Sequence, residues 1–445
     1  MMPYADTGDT WQKLSLITGH ARRDPTFRFT SLAHLLNVDY LRDCYKSLNR
    51  NKAVGIDNVS WEEYGENLAE NLEMLVSRLK RKKYKPLAAR RVYIPKSETE
   101  SRPLGISALE NKIVERGITW ILESIYEQDF LDCSYGFRPK RNSHQALKEL
   151  NDLIMFQPVS HIVEADIKGF FDNVSHEKLM DFMRIRIKDT TLLKLIERFL
   201  QAGYVDDGLL VKPEIGTPQG SILSPILANI FLHYVLDSWF EATVKSHVKG
   251  FCAIVRYADD FVCVVRYAKE AVRIERGLRN RFNKYGLELH PTKSRNISFG
   301  RFERESAKSQ HRRANTFDFM GFTHYCDRSR KGTFKVGRKT SRRKYSAKCR
   351  AMNAWLKAIR NQVKTKEWWK ILQAKLRGHF QYYGVSENYA GIARFYKFTI
   401  RTVRKWMNRR SQQRKMSWNR FTEYLEHYPL PKPKIVHSFY VSHVR

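Results

Sequence analysis

The chain has 445 residues, of which 42% are hydrophobic, enough to bury a sizeable core and to exclude a disordered protein. It carries 80 Lys and Arg against 46 Asp and Glu, a net charge of +34. Such an excess predicts a large polyanionic partner, with nucleic acid the first candidate and an anionic membrane the second. Residues 301–445 hold 36 of the basic residues and 8 of the acidic ones, so a net +28 lies in the C-terminal third. Aromatic residues alternate with the basic ones there, which favours phosphates and stacked bases over lipid headgroups.

Membrane insertion and a disulfide framework are both disfavoured by the sequence. No apolar run approaches the roughly 18–20 residues that a membrane span requires, and the N-terminus lacks the basic start and apolar stretch of a secretory signal. The six cysteines are scattered without a CxxC pair, which argues against a zinc site. We therefore expect a cytoplasmic protein, in the cytoplasm or nucleoid of a bacterium, with no membrane partner.

The predicted elements begin after residue 36, because residues 1–36 are polar and predict an irregular lead-in. Apolar residues at helical spacing predict helices at 40–49, 68–79 and 192–200. Short apolar runs predict strands at 91–94 and 162–167. Two further apolar runs, at 253–255 and 261–265, flank Tyr257-Ala258-Asp259-Asp260 and predict a β-hairpin with acids at its turn.

From residue 341 onward the pattern is helical. One face of the first helix there is predicted to contain five apolar residues, Met352, Trp355, Leu356, Ile359 and Val363. Residues 429–434, PLPKPK, predict an extended segment. Strands and helices are mixed without strict alternation, which favours the α+β class, and the shift in composition near residue 301 is the clearest candidate domain boundary.

Three acidic residues could carry chemistry. Asp166 ends an apolar strand, and Asp259 and Asp260 lie at the turn of the predicted hairpin. Two Mg²⁺ ions about 4 Å apart can stabilise both the attacking and the leaving oxygen of a phosphoryl transfer, and carboxylates must hold those ions. Each acid alone is more often ordinary turn chemistry, so the hypothesis depends on the motifs around them.

Those motifs occur in the order found in the reverse transcriptases encoded by group II introns, and the chain resembles that family from about residue 29 to its end. They are Val92–Lys96, Arg102–Ile106, Ser134–Pro139, the strand ending at Asp166, Gly216–Pro225 and Tyr257–Asp260. The family commonly has a second glycine where this chain has Ser221.

The resemblance implies a role for several residues of the polymerase site. Asp166, Asp259 and Asp260 would be catalytic and, with the carbonyl of Ile167, would hold two Mg²⁺ ions, with Mn²⁺ able to substitute. The implied nucleotide-binding residues are Lys96, Arg102, Phe171, Gln219, Gly220 and Lys293. Lys96 and Arg102 would hold the triphosphate, Phe171 would exclude a ribose 2′-OH, and Lys293 could protonate pyrophosphate. The loop Phe319, Met320, Gly321 and Phe322 would grip the primer. An ordinary core position for Phe171 and a solvated surface position for Lys293 stay open as alternatives.

The resemblance also implies a right-hand polymerase with fingers and palm, an α-helical thumb and a short basic segment. The expected ranges are a lead-in at 1–36, an N-terminal extension with fingers at 37–160, a palm at 161–340, a thumb or maturase domain at 341–405 and a DNA-binding segment at 406–445. The Cys/His-rich endonuclease domain of many relatives is expected to be missing.

The implied partners are intron RNA, an RNA template, a DNA target or primer and dNTPs, while a monomer and a homodimer are both open. The implied function is copying of intron RNA into DNA together with a maturase role in splicing. A splicing-only maturase and a polymerase recruited to defence or DNA repair are the alternatives.

Overall fold

The computed structural model describes residues 9–95, 101–291, 294–410 and 416–440. The helices in chain order are α1 Asp9–Arg23, α2 Val38–Ser47, α3 Trp61–Glu66, α4 Leu68–Lys80, α5 Leu109–Tyr126, α6 Ser143–Phe156, α7 His176–Arg186, α8 Thr190–Gln201, α9 Ser224–Leu232, α10 Ala268–Lys284, α11 Glu303–Ser309, α12 Arg342–Ile359, α13 Thr365–Tyr383, α14 Tyr389–Met407 and α15 Trp418–His427. The strands are β1 Ala89–Pro95, β2 Ser101–Ile106, β3 His161–Asp166, β4 Tyr204–Asp206, β5 Leu209–Val211, β6 Cys252–Tyr257, β7 Asp260–Val265, β8 Arg295–Ser298, β9 Thr316–Phe319, β10 Phe322–Arg328 and β11 Phe334–Thr340.

The chain divides into two compact units. Unit 1 comprises Met1–Ala146, Ala165–Cys263 and Lys269–Arg295, and unit 2 comprises Leu147–Glu164, Val264–Ala268 and Asn296–Arg445. Helices and mainly antiparallel sheets occur together without regular βαβ alternation, which agrees with the expected α+β class. Within the described ranges, no helix is both long enough and apolar enough to cross a membrane.

The N-terminal region differs from the sequence expectation. Residues 9–23, predicted to be irregular, form α1, so the prediction is wrong for this segment. Leu14, Ile17 and Ala21 recur at helical spacing and are buried, and α1 packs against α5. The rings of Trp11 and Trp120 lie 5.0 Å apart across this contact. Three apolar positions are enough to hold α1 in place, because the buried face of α5 supplies the rest of the core.

The other helices predicted for unit 1 are confirmed as α2, α4 and α8. Helix α8 could be predicted because Leu192, Ile196 and Phe199 recur at helical spacing and form its buried face. The Asp189 side chain begins α8 by accepting hydrogen bonds from the backbone N–H groups of Thr191 and Leu192.

A four-stranded sheet in unit 1 has the order β2-β1-β4-β5. The strand expected at 91–94 is part of β1, which pairs antiparallel with β2 and parallel with β4. The register of β1 and β2 sets Arg102 opposite Ile94.

A second four-stranded sheet has the order β6-β7-β3-β8. The predicted strand at 162–167 is β3, and the predicted hairpin is β6 and β7, joined by Ala258 and Asp259 alone. Val262 to Val265 are fully buried, so β7 is a central strand. Asp260 begins β7, and Asp166 ends its neighbour β3.

Unit 2 contains a three-stranded antiparallel sheet, β11-β10-β9, and the C-terminal helices α12 to α15. The helix expected from 341 is confirmed as α12, with Met352 and Leu356 buried, but Val363 lies beyond its end. The helix stops at Ile359, and in the turn that follows the Gln362 N–H donates to the Ile359 carbonyl at 3.1 Å.

The tail of unit 2 runs back along the C-terminal helices. Residues 429–434 form no helix or strand, which agrees with the extended segment predicted from the sequence. His437 forms a β-bridge with Val385, and Phe439 is buried with the Arg338 guanidinium 4.7 Å from its ring centroid. The backbone N–H of Phe439 donates to the Ser386 hydroxyl at 2.9 Å. Two residues of the tail, Leu430 and Phe439, are therefore part of the core of unit 2.

Candidate active site

Two of the three predicted acids lie at the ends of neighbouring strands, because Asp166 ends β3 and Asp259 directly precedes β7. Burial raises the pKa of Asp259, and the negative charge of Asp166 raises it further, while Arg102 and Arg256 act in the opposite direction. The influence of Asp166 on Asp259 agrees with the position of the two acids on neighbouring strands. Asp260 follows directly at the start of β7, and all three side chains are partly accessible to solvent.

The segment after Asp166 is held by the chain near residue 289. The backbone N–H of His290 donates to the Asp166 carbonyl at 2.7 Å, and that of Lys168 donates to the Glu288 carbonyl at 2.9 Å. Ile167, between them, forms a β-bridge with Leu289 and is buried. The end of β3 is thereby fixed on both sides of the expected metal-binding carbonyl.

A buried ion pair adjoins the turn that carries Asp259. The Arg256 guanidinium contacts the Asp237 carboxylate twice, Nε to Oδ1 at 2.7 Å and Nη2 to Oδ2 at 2.5 Å. Both side chains are 0% exposed. Burial disfavours the charge of Arg256, but the Asp237 carboxylate outweighs this and raises the pKa of Arg256.

The same guanidinium reaches the turn itself. Its Nη1 donates to the Ala258 carbonyl at 3.0 Å and to Asn229 Oδ1 at 3.1 Å. Arg256, Asp237 and Asn229 were not among the site residues predicted from the sequence. One signal was available, because Arg256 and Asp237 each lie in an apolar run, and a charge in such a run needs a buried partner.

The segment Ser134–Pro139 supports the turn from another side. Tyr135 N–H donates to the Arg256 carbonyl at 2.9 Å, and Asn229 Nδ2 donates to the Gly136 carbonyl at 2.8 Å. A Cβ on Gly136 would lie 2.2 Å from the Ala258 nitrogen. Only glycine fits here, so this motif shapes the hairpin turn.

The loop with the predicted nucleotide-binding residues Gln219 and Gly220 is held against β2. Gly105 N–H donates to the Gln219 carbonyl at 2.6 Å. Gly220 has a φ of +112°, and a Cβ there would lie 2.5 Å from the Gly105 carbonyl oxygen. The Gln219 amide donates to the Asp172 carboxylate at 3.1 Å. This contact orients the Gln219 side chain, which the sequence analysis expected beside a nucleotide.

The buried Glu115 carboxylate joins the segment after β2 to the loop that follows Gln219 and Gly220. Glu115 accepts from the Ser107 hydroxyl at 2.9 Å and from the Ile222 N–H at 2.8 Å. Burial raises the pKa of Glu115, although these hydrogen bonds act against the shift. The sequence analysis missed this residue, which lies inside α5.

Phe171 is only half-buried, whereas its neighbour Phe170 is buried. The two rings meet edge to face at 5.4 Å. The Phe171 carbonyl accepts from Thr217 N–H at 2.7 Å, which ties it to the loop of Gln219. Phe170 is thus the core residue of the pair, and the partly exposed ring of Phe171 can face a ligand.

The remaining predicted nucleotide-binding residues are basic. Arg102 is exposed on β2 and acts electrostatically on Asp259. Lys96 and Lys293 lie outside the described residues.

The predicted primer-grip residues form the turn between β9 and β10 in unit 2. Met320 and Gly321 have φ values of +52° and +79°, the geometry that favours glycine in a two-residue hairpin. Phe319 and Phe322 are buried. The Tyr382 hydroxyl donates to the Met320 carbonyl at 2.9 Å. The buried phenylalanines anchor this turn, and its tip consists of Met320 and Gly321.

Among the described residues, no group of three or more His, Cys, Asp and Glu has the geometry of a preformed metal site. The Asp166 and Asp259 pair nevertheless fits a divalent cation. The Asp166 charge disfavours ionisation of Asp259, and a cation bound beside the two carboxylates would remove that repulsion.

Comparison with known proteins defines the class. Residues 94–324, just over half of the chain, match the family model described as reverse transcriptase (RNA-dependent DNA polymerase). This range includes the acids, the Gln219 loop and the turn at Met320. The chain belongs to the reverse transcriptase family and is an RNA-directed DNA polymerase, a class that uses divalent metal ions.

Individual relatives narrow the class to the group II intron type, and so confirm the resemblance. Protein YkfC of Escherichia coli is 32% identical over 352 residues, 71% of this chain and 88% of the relative. The group II intron-encoded protein LtrA of Lactococcus lactis is 40% identical over 207 residues, 46% of this chain and 34% of that protein. Nuclear intron maturase 4 of Arabidopsis thaliana is 23% identical over 211 residues, 47% of this chain and 25% of the relative. The match thus spans most of YkfC but about a third or less of the two intron-related proteins.

Proposed function

We propose that this protein is encoded by a group II intron, copies intron RNA into DNA and acts as a maturase in splicing. The observation that carries the proposal is the placement of Asp166 at the end of β3 and of Asp259 directly before the neighbouring strand β7, inside the region that matches reverse transcriptases. The name of LtrA, a group II intron-encoded protein, supports the intron assignment.

In this proposal Asp166, Asp259 and Asp260, with the Ile167 carbonyl, hold two Mg²⁺ ions, for which Mn²⁺ can substitute. The ions supply charge stabilisation at both the attacking and the leaving oxygen. The placement of Asp166 at the end of β3 and of Asp259 and Asp260 at the start of the neighbouring strand β7 supports the assignment, because grouped carboxylates attract a divalent cation.

The chain's other residues bind and orient the nucleotide. Arg102 and Lys96 hold the triphosphate, Arg through its planar fork and Lys as a point charge. Phe171 lies under the sugar, Gln219 and Gly220 lie beside the incoming dNTP, and Lys293 donates a proton to pyrophosphate. The contact between Gly220 and Gly105 supports this, since it joins the nucleotide loop to the strand of Arg102.

In the same proposal, residues 37–160 provide the N-terminal extension and fingers, 161–340 the palm, 341–405 the thumb and 406–445 the DNA-binding segment. The turn at Met320 and Gly321 is the primer grip. The contact of the Tyr382 hydroxyl with the Met320 carbonyl supports a joint action of primer grip and thumb.

The test is primer extension on an RNA template with dNTPs and Mg²⁺. Wild-type protein is expected to extend an annealed DNA primer, and Asp259→Ala to abolish extension while RNA binding stays within about twofold, because the acid serves chemistry and not affinity. Asp181→Ala, which removes an exposed carboxylate from α7, is the matched control and is expected to be active.

Two outcomes would contradict the proposal. Extension by Asp259→Ala would show that the metal assignment is wrong. A wild-type protein that binds intron RNA and promotes splicing without extending primers would favour the splicing-only maturase.

A further inference from the structure

We propose that Arg256 and Asp237 are positioning residues that hold the hairpin turn so that the Asp259 carboxylate can bind a divalent cation. The inference deepens the proposed function and rests on the assignment of Asp259 as a metal ligand. Neither residue needs to touch substrate, since Arg256 acts through the Ala258 carbonyl and Asp237 acts through Arg256.

The geometry of the turn requires support from outside. Ala258 has a φ of +58°, a conformation that is strained for a non-glycine residue and persists only where its surroundings impose it. The 3.0 Å hydrogen bond from Arg256 Nη1 to the Ala258 carbonyl supplies this constraint at the residue before Asp259.

The guanidinium is itself fixed by partners from a different part of the chain. Asp237 accepts two of its N–H groups, and Asn229 accepts a third. Asn229 also donates to the Gly136 carbonyl, and Gly136 packs against the Ala258 nitrogen. The network therefore gives each of the three guanidinium nitrogens of Arg256 a hydrogen-bond partner.

A purely stabilising ion pair is the alternative explanation. Buried ion pairs are weak sources of stability, because desolvation offsets most of their attraction, and matched apolar replacements are often neutral. A pair retained only for stability needs no donor directed at the carbonyl of the turn. Such an explanation does not account for the hydrogen bond from Arg256 Nη1 to the Ala258 carbonyl.

The experiment measures Mn²⁺ binding by electron paramagnetic resonance in the full chain, without nucleotide or RNA. The main variant is Arg256→Met with Asp237→Leu, which removes both charges at similar volume. We expect its Mn²⁺ affinity at the Asp259-dependent site to fall about 10–100-fold, the range typical for groups that orient metal ligands. Thermal melting and RNA binding are expected to change little.

A second buried pair provides the matched control. Arg186 and Asp129 lie 3.3 Å apart in unit 1, and Arg186 bonds to the Pro25 carbonyl and not to the hairpin turn. Arg186→Met with Asp129→Leu is expected to leave Mn²⁺ affinity unchanged. If the main variant does not fold, Arg256→Lys keeps the charge but lacks the fork, and its Mn²⁺ affinity is expected to fall in the same direction.

Wild-type Mn²⁺ affinity in a folded Arg256 variant would overturn the inference, as would an equal loss in the control pair. A wild-type protein that binds Mn²⁺ through Asp259 but extends no primer would contradict the proposed function. In that case a weaker Mn²⁺ affinity in the Arg256 variants would still support the positioning role.

Discussion

Gly220 illustrates how closely two backbones approach at the site. A substituent there would lie 2.5 Å from the Gly105 carbonyl oxygen, whereas Gly208, also at positive φ, has no atom within 4 Å of such a substituent. Gly220→Ala is expected to lower the rate of primer extension by about 100-fold, because displacement of the Gln219 loop misplaces the nucleotide.

Gly208→Ala is the control for the backbone conformation alone. It is expected to lower the free energy of unfolding by about 1–2 kcal/mol and to leave the extension rate unchanged. Equal activities of the two variants would show that the contact between Gly220 and Gly105 is irrelevant to nucleotide binding.

At the residue scale, the sequence was informative where a residue stands in a recognisable local pattern. Asp259 and Asp260 stand out because acids interrupt two apolar runs. Asn229 stands out in no such way, and the contacts of Asp237 and Asn229 with Arg256 cannot be read from the sequence, since they lie 19 and 27 residues from Arg256 and meet it only through the fold. Their role depends on long-range packing, which residue spacing does not encode.

At the element scale, substitutions in α1 measure how much this helix, which was not predicted, contributes to the free energy of unfolding. Leu14 is 2% exposed and faces the core of unit 1, while Leu16 on the same helix is 65% exposed. Leu14→Ala is expected to lower the free energy of unfolding by about 2–5 kcal/mol, and Leu16→Ala by less than about 0.5 kcal/mol. Urea unfolding followed by tryptophan fluorescence measures both.

A similar loss of unfolding free energy in the two variants would mean that α1 does not pack on α5 in solution.

The hairpin β6–β7 and the helices α2, α4 and α8 were predictable because each contains its own repeating apolar pattern. The short apolar stripe of α1 was overlooked among polar residues, and its stability comes from α5.

At the scale of the whole molecule, the excess positive charge predicts RNA binding that weakens steeply with salt. About 6–10 phosphate contacts would reduce the affinity about 10³–10⁵-fold between 50 and 200 mM salt. Lys397, Arg401 and Lys405 form an exposed row on α14, and replacing all three by Gln is expected to lower the slope of log affinity against log salt by about 2–3.

A charge-matched control removes three exposed lysines from unit 1, Lys82, Lys188 and Lys194. It is expected to change the slope much less, because the sequence concentrates its positive charge beyond residue 301. Filter binding over a salt series measures both variants, and the opposite ranking would locate the main RNA contact in unit 1.

The docking of the tail in unit 2 has a consequence for the time course of synthesis. Phe439 covers the buried Arg338 guanidinium, and 101 residues separate the two in sequence. At about 5–20 residues per second, a ribosome needs about 5–20 s to make that stretch. During this interval the newly synthesised basic segment already contains Arg338, but Phe439, whose ring covers Arg338 in folded unit 2, has not yet been made.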